Sequence, residues 1–173
     1  DPALNVNNQN NPNLSAGMTF LGQFLDHDIT FDPTSSLERQ SDPESIQNFR
    51  TPLFELDSVY GSGPGASPHL YDQSTEGEGI KFHIEEIPGA VAVSAGGLPR
   101  FDLPRNSQGT ALLGDPRNDE NLIVSQLHLA MLKFHNAVVD YVKTEFELTN
   151  PEEVFTEAQR LVRWHYQWII IHE

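Results

Sequence analysis

The 173-residue sequence contains no cysteine, which excludes disulfides, thiolate zinc sites, iron–sulfur clusters and cysteine nucleophiles. Basic residues are scarce: 10 Lys and Arg stand against 25 Asp and Glu, a formal charge of −15. Scattered cations do not make the electrostatic footprint of a nucleic-acid binder, and the acidic balance disfavours docking on anionic lipid. Neither nucleic acid nor a lipid surface is therefore expected as a partner. No run approaches the roughly 20 apolar residues of a membrane span, and Asp1-Pro2-Ala3-Leu4 shows no signal-peptide pattern. Two hydrolase signatures are also missing, the Gly-x-Ser-x-Gly elbow and the His-Glu-x-x-His zinc helix. The glycine-rich stretch Gly61 to Ser67 has no P-loop lysine and follows no repeating βα pattern, so a phosphate cradle is not expected there.

What is present reads as helices joined by long loops. Residues 1–15, rich in Asn and Pro, form an extended arm. Ser15 can cap a helix whose apolar stripe is Met18, Leu21, Phe24, Leu25 and Ile29, ending near Asp32-Pro33. Residues 67–113 carry Pro, Gly and short apolar runs, which suggests loops with a short hairpin. Asn118 or Asp119 can cap a helix over 120–146, and Asn150-Pro151-Glu152-Glu153 opens a last helix that runs to Glu173. That helix stops without a C-cap, which suggests a cut chain.

Three groups of residues could carry chemistry. His27 sits between Asp26 and Asp28 near a helix end. Successive helix residues point about 100° apart, so the three serve separate partners or form a surface cluster. Thr51, Leu53, Glu55 and Asp57 alternate. In a curled loop they could offer oxygens to Ca²⁺, with Asp28 completing a shell of about 6–8 ligands; in a strand they would be its polar face. Arg117 and Glu120 lie three apart and either pair locally or both face a cofactor. His128 and His135, like His165 and His172, are seven apart and read as scattered or core histidines.

Four blocks together resemble the animal-type haem peroxidases of the peroxidase–cyclooxygenase superfamily. Gly22-Gln-Phe-Leu-Asp-His-Asp28 resembles the distal-histidine helix, and Thr51 to Gly61 the calcium loop. Gly114-Asp-Pro-Arg-Asn-Asp-Glu120, running on to Phe134-His135-Asn136, resembles the distal-arginine helix, and Leu161 to Trp168 the helix after it.

The resemblance implies a mainly α fold, with helices around a haem pocket and long loops. It implies haem b, open to covalent linkage, and Ca²⁺ as cofactors. His27 would be the distal base, Arg117 the distal arginine, and Gln23 a neighbour of the peroxide or halide site. Asp26 and Glu120 match the carboxylates that form ester bonds to haem in some members. Asp28, Thr51, Leu53, Glu55 and Asp57 would ligate calcium. The family usually has Asp then Ser where this chain has Glu55 and Asp57, and an aromatic at Leu53. The implied reaction is reduction of hydrogen peroxide coupled to oxidation of a halide or small organic donor. Residues 1–173 would be the distal portion of one domain. The iron-ligating proximal histidine lies beyond Glu173, on a second chain or a missing segment, so this chain alone should be inactive. The competing expectation is a non-catalytic calcium-binding or interaction fragment on the same scaffold.

Overall fold

Three long helices take up most of the apolar periodicity, as the computed structural model shows for residues 15–33, 44, 46–88 and 100–172. They are α1 (Ala16–Ile29), α4 (Leu122–Glu145) and α5 (Pro151–His172); between them lie two one-turn helices, α2 (Asp57–Tyr60) and α3 (Gly63–Ala66). The only sheet among the described residues is a two-residue antiparallel pair, β1 (Glu85–Glu86) with β2 (Phe101–Asp102). It matches the short hairpin expected within 67–113, and the fold is mainly α. The arm expected over 1–15 lies, save Ser15, outside the described residues.

α4 is the central helix. Its buried positions Val124, His128, Leu132, His135, Val139 and Val142 follow 3- and 4-residue steps and form one stripe. α5 answers with Val154, Ala158, Val162 and Tyr166, each one step of four apart. The connection over 146–150 turns α5 back onto α4, its main neighbour, while α1 packs on α4 from another side. By length and composition alone α4 could cross a membrane. In this fold its apolar stripe is used by the core.

Two local expectations are corrected. Neither Asn118 nor Asp119 caps α4. Asn121 does so, its Oδ1 accepting from the amides of Ile123 and Val124 at 3.1 and 3.0 Å. Residues 116–119 form a separate 3₁₀ turn, opened by Asp115 as its cap and Pro116 in its first position. Nor is Thr51 to Asp57 a strand. Leu56 sits in left-handed backbone at φ 60° and starts α2 immediately after a series of bends.

The 3₁₀ turn is pressed onto α2 at Gly114, where a Cβ would come within 2.6 Å of the Ser58 carbonyl oxygen and 3.0 Å of the Gly61 nitrogen. Both are backbone atoms, so neither can swing aside. Gly114→Ala should therefore cost about 1–3 kcal/mol, read as a lowered urea midpoint. An unchanged midpoint would mean that the two turns are not in contact.

Candidate active site

α1 and the 3₁₀ turn before α4 meet along one seam. His27 projects from the last turn of α1, where it is 4% exposed, and its Nδ1 lies 2.8 Å from Oδ1 of Asn118, which is 0% exposed. The Nδ2 of Asn118 lies 2.9 Å from Nδ1 of His128, itself 1% exposed. A buried row of imidazole, amide and imidazole thus joins α1, the turn and α4. Burial holds the His128 pKa down to about 4, against the pull of Asp115 and Asp119. Phe24, one turn before His27, meets the rings of His128 and Tyr166 edge-on at 6.4 and 6.2 Å, which fixes the face of α1 that turns inward.

Arg117 reaches the same helix end from the other side. Its Nη2 donates to the backbone carbonyls of His27 (3.2 Å) and Thr30. These carbonyls stand at the negative end of α1, where a cation is favoured. Nε and Nη2 also bond the Asp115 carboxylate, at 3.1 and 2.8 Å. Asp115 takes a second guanidinium, from Arg50 at 2.7 Å, and both arginines lie over the Phe31 ring. Burial alone would raise the Asp115 pKa, but the bonds from Arg117 and Arg50 outweigh it and hold it below the usual carboxylate value. Nη1 of Arg117 has no hydrogen bond among the described residues. The local Arg117–Glu120 ion pair weighed above does not form.

Glu120 is instead bonded by Gln23, whose Nε2 donates to Glu120 Oε2 at 3.0 Å, while Asn121 Nδ2 donates to Gln23 Oε1 at 3.1 Å. The helix segment and the arginine segment are thereby tied together a second time. Asp26 is exposed on the same helix. The three residues of the Asp26-His27-Asp28 run do serve separate surroundings, with His27 and Asp28 buried rather than in a surface cluster.

Asp28 serves α2. Its carboxylate accepts from the amides of Leu56 (3.0 Å) and Ser58 (3.3 Å) and from the Ser58 hydroxyl (3.4 Å), a cap supplied from another helix. Burial raises its pKa, partly offset by those amides. The Tyr166 hydroxyl is buried beside the Asp28 carboxylate; burial first, then that carboxylate, raises its pKa. Thr51 and Leu53 are exposed. The Glu55 carbonyl accepts from Arg163 at 2.7 Å, and Asp57 lies 3.8 Å from the Arg163 guanidinium. Among the described residues no three His, Asp or Glu side chains form a group that could hold a metal ion. N–H and O–H donors point at Asp28, and a guanidinium sits beside Asp57.

The seam therefore gathers an imidazole engaged through Nδ1, a clamped guanidinium and the Glu120 carboxylate, with Asp26 exposed on α1. Asn118, His128, Asp115 and Arg50 were missed as functional candidates. The available signals were the Asp-Pro cap before Arg117 and the Asn directly after it.

These features define a mainly helical protein with a buried imidazole–amide–imidazole row between its first helix, the turn before its central helix and that helix. The family model described as animal haem peroxidase matches residues 36–173, and the chain belongs to that family. The family is haem-dependent and of oxidoreductase lineage. α1, with Gln23 to Asp28, precedes the matched range. No curated protein and no solved structure matches the chain.

Proposed function

We propose that this chain supplies the distal side of a haem peroxidase that reduces hydrogen peroxide and oxidises a halide or small organic donor. His27 is the acid–base group. Its Nδ1 is occupied by Asn118, so proton exchange falls to Nε2, which has no partner among the described residues. Nε2 takes a proton from one peroxide oxygen and gives it to the other as the O–O bond breaks and water leaves. An imidazole suits this because one ring nitrogen can take up and return a proton while the other stays hydrogen-bonded. Arg117 offers Nη1, which bonds no other described residue, to the negative charge that develops. Gln23, gripped by Glu120 and Asn121, borders the same space. Haem, when bound, supplies the electrons for peroxide reduction. Asp26 and Glu120 are the side chains through which ester links to it would run. The resemblance also offers Asp28, Thr51, Leu53, Glu55 and Asp57 to calcium, but no step depends on that ion.

One observation carries the reading: His27 and Arg117, from segments 90 residues apart, share a hydrogen bond at the end of α1. Arg117→Ala in the haem-loaded full protein should lower kcat/KM for peroxide by about 10²–10³-fold, with the haem absorption band retained. Wild-type turnover in that variant would contradict the assignment.

A further inference from the structure

We propose that Asn118 and His128 lock the tautomer of His27, so that its proton resides on Nδ1 and Nε2 carries the lone pair. The inference rests on the reading of His27 as the proton-transfer group and adds two positioning residues to it. A side-chain amide has one end that only accepts and one that only donates. Asn118 spans two imidazole Nδ1 atoms, with Oδ1 2.8 Å from His27 and Nδ2 2.9 Å from His128. The two rings must therefore be opposite tautomers: His27 donates from Nδ1, and His128 accepts at Nδ1 and keeps its own proton on Nε2.

Proton transfer at Nε2 favours this sense over the reversed one; burial holds His128 neutral, which either sense requires. After Nε2 of His27 has taken a proton, Nδ1–H still needs an acceptor, and Oδ1 remains in place without any rotation of the amide. In the reversed sense Nε2 already carries the ring proton and has no lone pair with which to take another. The row is also dry: His27, Asn118 and His128 are 4%, 0% and 1% exposed, so water cannot readily replace a lost partner. Backbone geometry holds Asn118 as well, since its N–H donates to the Asp115 carbonyl at 3.1 Å within the 3₁₀ turn.

The test reads ring nitrogens directly. The full protein, labelled with ¹⁵N at histidine, is examined by long-range ¹H–¹⁵N NMR at about pH 8, above the ordinary imidazole range. His27 should show a protonated Nδ1 and an unprotonated Nε2, and His128 the opposite pair. Asn118→Leu should shift His27 toward the Nε2–H form. Asn118→Asp, which still accepts from Nδ1, should keep the wild-type His27 pattern. Peroxide kcat/KM should fall in Asn118→Leu by up to about 10⁴-fold, the scale of a wrong-tautomer defect, and recover in part in Asn118→Asp. A protonated Nε2 on wild-type His27 overturns the lock, whether or not either variant folds; so does an unchanged His27 pattern in Asn118→Leu. The tautomer is read without peroxide or turnover. A correct pattern together with full activity in His27→Gln would sink the functional reading and leave the lock standing.

Discussion

Acidifying the protein from pH 7 to pH 5 is expected to remove on the order of 4 kcal/mol of stability, and carrying it to pH 4 about 6. His128 and His135 are the cause. Burial pushes both rings down to a pKa of about 4, for His135 against the bond from its own Nε2–H to the Ile80 carbonyl. In the unfolded chain each would titrate near 6.5. The native state therefore binds fewer protons than the unfolded state between those values. The contribution is complete above about pH 6.5 and is lost as pH falls toward 4, at about 1.4 kcal/mol per pH unit per ring. Neither ring can adapt cheaply. His135 is bonded at both nitrogens, with the Tyr60 hydroxyl donating to Nδ1 at 3.0 Å, and His128 accepts at Nδ1 from Asn118. Asp28 and Asp57 act in the other direction, because burial raises their pKa values and protonation favours the folded state. Their window opens upward from the ordinary carboxylate value, so they offset part of the histidine loss. Urea midpoints at pH 7 and pH 5 decide the matter. Equal midpoints would show that the two rings are not buried as neutral groups, whereas His135→Phe should flatten the dependence by about half.

The same burial explains why the sequence was easier to read for architecture than for the site. The stripes of α1, α4 and α5 are local patterns, and 3- and 4-residue spacing predicts each helix to within a few residues. The cap of α4 was not legible, because Asn118, Asp119 and Asn121 are equally good cap types; Asp115-Pro116 opening its own turn decides among them. Thr51 to Asp57 alternates like a strand, but no partner strand exists for it among the described residues, and Leu56 turns the chain into α2.

At the site, residue types could nominate His27, Arg117, Gln23 and Glu120, yet their pairing depends on contacts about 90 or more residues apart. Glu120 was weighed as a partner of Arg117; it bonds Gln23, and Asp115 takes the arginine. Asp28 shows the limit of alternation arguments. A carboxylate next to an oxygen-rich loop suggests a cation, but backbone amides of that loop satisfy it here. The pairing of Asn118 with His27 and His128 was not legible, since an amide between two imidazoles is visible only once α1, the turn and α4 are packed.

The central claim is that His27 moves the proton during peroxide cleavage. Its most direct test is the rate at which the haem-loaded full protein consumes hydrogen peroxide, with wild type set against His27→Gln, an amide that fills the space but cannot take up a proton. Loss of a positioned acid–base group should slow the reaction by about 10²–10⁴-fold, with the haem absorption band unchanged. A variant that consumes peroxide at the wild-type rate would contradict the account.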